Sequence, residues 1–227
     1  MYILAIETAT RAASVAVIFD GKILAETVRS SPQSFSETLL PQVEEVIKVS
    51  DAFQKIDAVA VSIGPGSFTG LRIGLATAKA LVYAWGTKII GVPTLQAMAY
   101  NFPAGKVLTL IDAQKNRAYC QLFEKFSALS ELEVRPIDEA ITHFAQTGDE
   151  IFLCGDVLHK IKISLPPNVK IAPSNLQMPR ASSVALCGEN LLASGKADSV
   201  MNLEPLYIRR AEAEELWEKR HGSPSEK

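Results

Sequence analysis

Between Phe68 and Gly86 the chain carries only two charges, Arg72 and Lys79. A helix with so little polar surface needs more than one buried face. Its glycines and its central charges argue against a membrane span and for burial in a folded domain. The whole chain also lacks an excess of either charge. Its 23 Lys and Arg stand against 25 Asp and Glu, and the net charge is −2. No basic stripe is expected to grip nucleic acid unaided. The opening run, Met1-Tyr2-Ile3-Leu4-Ala5-Ile6-Glu7, lacks the charged start and cleavage site of a signal peptide, so a cytoplasmic protein without membrane contact is expected. Cysteine is scarce: Cys120, Cys154 and Cys187 lie far apart in apolar runs and read as buried, reduced thiols.

Several catalytic signatures are missing too. The glycine-rich run at 64–74 has no Gly-Lys-Ser/Thr and is no Walker A loop. Ser67 sits in Pro65-Gly66-Ser67-Phe68, not in the Gly-x-Ser-x-Gly of a nucleophile elbow. The histidines are His143, His159 and His221, and no two have metal-ligand spacing, so no metal and no catalytic residues are assigned.

What the chain does have is Ser62-Ile63-Gly64-Pro65-Gly66-Ser67-Phe68-Thr69-Gly70-Leu71-Arg72-Ile73-Gly74, set between the apolar strand Ala58–Val61 and the long helix ending near Trp85. A glycine-rich turn at a helix N-terminus suits an anion, or the close approach of another backbone. Gly70, Gly74 and Ala78 recur every fourth residue, a spacing that lets two helices approach closely. One helix face is expected to cover the chain's own sheet and the other to meet a partner. With the amphipathic helix before it, the expected interface is Leu39, Leu40, Val43, Ile47, Gly70, Leu71, Gly74, Leu75 and Ala78.

Periodicity predicts strands at Tyr2–Glu7, Ala13–Phe19, Ile23–Val28, Asp57–Ile63 and Lys88–Val92, with Asp20-Gly21 as a hairpin turn. The helix carrying Leu39–Ile47 starts either at a Ser34/Glu37 capping box or near Pro41. In the second half Val107–Asp112, Arg117–Phe123, Leu132–Val134 and Glu150–Cys154 read as strands, and Ile137–Ala145 and Ser182–Ser194 as helices. The order β-β-β-α-β-α thus occurs twice, less regularly the second time. The expected division is 1–102, 103–204 and a C-terminal segment 205–227 that packs back, with Leu206–Arg210 extended, Ala211–Arg220 helical and the last residues disordered.

Glu7-Thr8-Ala9-Thr10 ends the first strand, and Asp112 ends its counterpart in the second half. Carboxylates and hydroxyls at strand ends suit Mg²⁺ or a nucleotide phosphate, so Glu7, Thr8, Thr10 and Asp112 are candidate nucleotide contacts. The alternative is that Glu7 and Asp112 cap turns.

The opening Ile3–Thr10, Ser36-Glu37-Thr38-Leu39-Leu40-Pro41, the glycine block, Gly91-Val92-Pro93-Thr94-Leu95, Asp112-Ala113 and Pro205-x-Tyr207-x-Arg209 follow one another as in one family. The chain resembles the TsaB (YeaZ) family, densely over residues 1–100 and thinly beyond. The resemblance implies an α/β fold of two actin-like, ribonuclease-H-like (ASKHA) lobes, each a mixed sheet flanked by helices, the second degenerate. It also implies a non-catalytic partner subunit of the complex that makes threonylcarbamoyladenosine in tRNA beside the anticodon. The catalytic paralogue, TsaD, holds a metal with a His-x-x-x-His helix; the matching run here, Ser34-Phe35-Ser36-Glu37-Thr38, has no histidine. Implied partners are TsaD through the first-lobe helices, a TsaE-type ATPase in the complex, and a second copy of the chain in isolation. ATP or ADP and tRNA are implied only within the complex. Competing readings are a small-molecule kinase or ATPase of the same fold, a ribonuclease-H-like nuclease and a peptidase; each needs a cluster or pair of groups not evident here.

Overall fold

A computed structural model of the chain describes residues 1–30 and 35–208. Ser34, Arg209 and the expected C-terminal helix and tail lie outside the described residues. The first sheet is built from β1 (Tyr2–Glu7), β2 (Ala13–Phe19) and β3 (Lys22–Arg29), followed by α1 (Phe35–Val49), β4 (Ala58–Gly64), α2 (Phe68–Trp85) and β5 (Lys88–Pro93). Its strand order is β3-β2-β1-β4-β5: the hairpin strands are antiparallel, and β4 and β5 run parallel to β1. A short helix, α3 (Thr94–Ala99), leads to the second unit: β6 (Lys106–Asp112), β7 (Arg117–Glu124), β8 (Ser127–Ala128), β9 (Glu133–Pro136), α4 (Ile137–Ala145), β10 (Ile151–Gly155), β11 (Val169–Ile171) and α5 (Ala181–Ala193).

The second sheet repeats the first. Its order is β11-β10-β6-β7-β8, with β9 also on β7; β6 and β7 are antiparallel, and β10 and β11 run parallel to β6. The degeneracy has a definite place. Where α2 joins β4 to β5, only a 3-10 turn, Leu158–Lys160, stands between β10 and β11. Pro41 lies inside α1, which begins at Phe35, so the start near Pro41 is not the one observed.

β1, β2 and β4 are buried on both faces, which is why they read as continuous apolar runs. On one side Leu4, Ile6, Val59 and Val61 pack under α1 and α2 through Leu39, Val43, Val46, Leu75, Ala78 and Val82. On the other, Ile3, Ala5, Ala16 and Ala60 meet Ala181, Val184, Ala185 and Cys187 of α5. In return α3 lends Leu95, Met98 and Ala99 to the second sheet, beside Val107, Ile111, Tyr119 and Phe123. Each unit therefore covers part of the other's sheet.

This exchange corrects the expected division of the chain. The second lobe does not run from 103 to 204, because α5 and the segment after it return to the first sheet. The reason is steric fit. The inner face of the first sheet is lined by alanines, and only a helix of small residues reaches it closely: a Cβ placed on Gly188 would stand 2.8 Å from that of Ala60. Two polar anchors fix α5 there. Glu26 of β3 accepts from Ser182 N (2.9 Å) and from Arg180, and Ser14 Oγ accepts from Ala181 N (2.9 Å). The chain then follows β5. Gly91 N donates to Asp198 Oδ2 (2.8 Å), Leu203 enters the first core, and Leu206 N donates to Ile63 O (2.7 Å).

Candidate functional site

The glycine block closes on the turn that follows β1. Ser67 N donates to Ala9 O (2.7 Å), and Thr8 Oγ1 donates to Gly70 O (2.8 Å). Ser67 caps α2, its Oγ accepting from Gly70 N at 3.2 Å. Of the two uses open to such a turn, this one is taken by a neighbouring backbone. A Cβ on Gly66 would lie 2.4 Å from Ala9 O, one on Gly70 2.0 Å from Thr8 O, and one on Gly74 2.2 Å from Thr8 Oγ1.

The small-residue stripe therefore faces inward, and the expected interface is corrected on that point. Gly70 and Gly74 press on Thr8. Leu71, Leu75, Ala78, Leu39, Val43 and Ile47 are buried in the chain's own interior. Of the nine expected interface residues only Leu40 is exposed, at 51%. The sequence could not separate close approach to a partner from close approach to the chain's own turn, since both need the same missing Cβ. The outward face of α2 is instead formed by Ala76, Ala80 and Tyr83, with Ile73 half-buried beside them. Tyr83 is 88% exposed. These residues recur at alternating steps of three and four, a seam that suits a facing helix. On the adjoining α1, Leu40 is exposed amid Glu37, Glu44 and Lys48, and Val49 is exposed at the helix's end.

The candidate nucleotide contacts fall into two unlike groups. Glu7, at the end of β1, is wholly buried. Its Oε1 accepts from Ala9 N, while its Oε2 has no hydrogen-bond partner. The hydroxyls of Ser62, Thr10 and Thr94 are likewise buried and unpartnered. Burial pushes the Glu7 carboxyl up from 4.5 to about 7; the adjacent Ser62 hydroxyl and the Ala9 amide pull the other way without cancelling it. No cation contributes. Near neutral pH this group is a half-protonated acid in the interior. Thr8 is buried too, its hydroxyl committed to Gly70.

Asp112, at the end of β6, is engaged on every side. Its Oδ2 pairs with Lys160 Nζ (2.6 Å), its Oδ1 accepts from Gln114 N (2.9 Å), and its own N–H donates to Asp156 Oδ1 (2.8 Å). Leu153-Cys154-Gly155-Asp156 is, in the sequence, only a weak counterpart of a glycine-rich adenosine loop; Asp156 stands at the end of β10, the strand beside β6, and Lys160 carries no signal of its own. Asp156 has its carboxyl raised by burial. Among the described residues no group of three or more His, Cys, Asp or Glu could hold a metal ion. No helix there is long and apolar enough to cross a membrane.

The three cysteines are buried and unbridged. Burial raises all three thiols, Cys120 to about 11 and Cys187 to about 12. Folded protein at pH 8 is expected to react with a thiol reagent at least about tenfold more slowly than denatured protein, because the thiolate is the reactive form. Fast labelling of one thiol in the folded state would contradict this burial.

A family model described as TsaD, tRNA N6-adenosine threonylcarbamoyltransferase, matches residues 22–217. The protein of Bacillus subtilis (strain 168) named tRNA threonylcarbamoyladenosine biosynthesis protein TsaB is 29% identical over 228 residues, covering 96% of this chain and 98% of its own. The protein of that name from Escherichia coli (strain K12) is 28% identical over 246 residues, covering 98% and 99%. This chain belongs to the TsaB (YeaZ) family. The family is involved in the biosynthesis of threonylcarbamoyladenosine in tRNA. The fold agrees. A Pseudomonas aeruginosa structure, an uncharacterized protein with similarity to peptidase YEAZ, superposes with a TM-score of 0.77 at 23% identity, covering 92% of this chain and 99% of that one. The inward-facing glycine block is thus the internal clasp of a TsaB first lobe, and the exposed side of α1 and α2 is its outer layer.

Proposed function

We infer that this TsaB-family chain is a non-catalytic partner subunit. It binds and supports a TsaD-type paralogue in the cytoplasmic complex that makes threonylcarbamoyladenosine in tRNA. The observation that carries the reading is the outer face of α1 and α2, where α1 exposes Leu40 and α2 exposes the apolar row Ala76, Ala80 and Tyr83 beside half-buried Ile73. An exposed apolar patch on a packed layer marks an interaction surface. Two further observations favour a supporting role over a kinase or ATPase of the same fold. Glu7, which an ASKHA enzyme would turn toward metal or phosphate, is sealed and partly protonated, and Asp112 is bound to Lys160. In this reading nucleotide and tRNA are held by the assembled complex, with a TsaE-type ATPase joining there. The isolated chain pairs with itself through the same helices.

The test is co-elution of the purified chain with the TsaD-type protein of the same organism. Leu40→Glu and Ala80→Glu place a charge on that outer face without touching the interior. Each is expected to weaken association by about 2 kcal/mol or more, with the circular dichroism spectrum unchanged. Threonylcarbamoyl transfer by the chain alone, or a complex indifferent to both substitutions, would count against the reading.

A further inference from the structure

One cation stands on that outer layer in an unusual setting. Arg72, exposed in the second turn of α2, is held from two sides. Its Cζ lies 3.8 Å from the centre of the Phe68 ring, and its Nε donates to the Tyr207 hydroxyl at 2.9 Å. The two rings pack together, with centres 5.1 Å apart. Tyr207 is 135 residues further along the chain and arrives at the end of the segment that follows β5. The clamp uses Nε and one face of the guanidinium. The two terminal amino groups, the pair that grips a carboxylate end-on, have no partner among the described residues. A surface arginine usually loses side-chain freedom when it pairs; here much of that freedom is already gone.

We propose that Arg72 is a pre-ordered carboxylate receptor in the partner interface, taking an Asp or Glu side chain from the docking helix of the partner protein. The inference rests on the partner-subunit reading above and adds what that partner must present. Charge complementarity on α2 selects the occupant. The helix holds Arg72 and Lys79 and no acidic residue at all, so a facing helix that brings a carboxylate meets no repulsion from it. A nucleic-acid backbone fits less well. Arg72 shares this face with Ile73, Ala76 and Ala80 and with one further cation, Lys79, two turns on; two charges so spaced among apolar residues form no basic stripe that could follow a line of phosphates. Tyr207 acts as a positioning residue: it touches no partner in this scheme and works through the guanidinium it holds.

The experiment measures association of the intact chain with the TsaD-type protein by calorimetry across a salt series. Arg72→Gln is expected to weaken binding about tenfold or more and to flatten the salt dependence, because a charge-assisted pair is lost. Arg72→Lys is expected not to restore it, since an ammonium cannot form the two parallel bonds. Tyr207→Phe keeps the ring and removes the hydroxyl, and should weaken binding about threefold. Combined with Arg72→Gln it should cost nothing more, as holds for two residues acting through one contact. Additive losses in the double variant would overturn the positioning role of Tyr207. Wild-type association unaffected by Arg72→Gln would overturn the receptor. No association by the wild type would overturn the partner-subunit reading, and this inference with it. A variant that loses binding of tRNA or inorganic phosphate but keeps the protein partner would assign Arg72 to phosphate and also overturn the proposal.

Discussion

Gly70→Ala is expected to destabilise the first lobe by about 3 kcal/mol or more, and in a marginal background to unfold it. The added methyl would stand 2.0 Å from Thr8 O, a backbone atom with no room to retreat. Thr8 is held there by its own hydrogen bond to Gly70 O and by the adjoining bond from Ser67 N to Ala9 O. Gly74→Ala meets Thr8 Oγ1 at 2.2 Å instead. That hydroxyl can turn aside only by giving up its bond to Gly70, so a smaller loss of about 1–3 kcal/mol is expected. Urea unfolding followed by circular dichroism measures both. A shift of the midpoint at constant slope would report stability alone. A Gly70→Ala protein as stable as wild type that no longer bound its partner would return the glycine stripe to the interface. The contrast with Ala80→Glu is the useful one, because both changes lie on the same helix. One strikes the inward face and costs folding; the other strikes the outward face and costs association.

Glu7→Gln is expected to make the protein more stable at pH 8 and to remove most of the pH dependence between pH 5 and 8. The sign follows from the direction of the shift. The Glu7 carboxyl rises from 4.5 in a solvated chain to about 7 in the folded protein. Below about pH 4.5 both states are protonated and the contribution is fully present. Between there and about pH 7 the unfolded chain releases its proton while the folded one keeps it, so stability falls as pH rises. Above about pH 7 both are ionised and the loss is complete, at about 3 kcal/mol for a shift of this size. An amide offers Ala9 N the same acceptor and places a permanent donor beside Ser62, whose hydroxyl is unpartnered. Thermal unfolding at pH 5 and pH 8 for wild type and variant gives four midpoints that decide the matter. Parallel pH dependence in the two proteins would mean that Glu7 is ionised and satisfied in the folded state.

Most strand and helix positions were legible in the sequence because their cause is local; the short elements α3, β8 and β11 were not, being too brief to show a period. The alternation and apolar runs of β1, β2 and β4, and the period of α1 and α2, reflect burial that every turn or pair of residues registers on its own. The repeated order of elements was visible for the same reason. The burial of Glu7 beside the unpartnered Ser62 hydroxyl was not legible, because the two side chains come from neighbouring strands, β1 and β4, that meet only in space.

By itself the sequence determined the two-unit α/β architecture, the family, and the presence of a helix with too much apolar surface for one face. Only the tertiary structure decided which face of that helix is which. Glycine marks where something comes close and carries no label for what arrives, and Thr8 is 62 residues from Gly70. Tertiary structure also decided where α5 belongs. The helix follows the second sheet in the chain but fills the alanine-lined face of the first, and no local pattern records a fit between surfaces so far apart in sequence. The clamp of Tyr207 on Arg72 has the same origin: the strength of a contact depends on geometry, and long-range geometry is set by the packing of the whole.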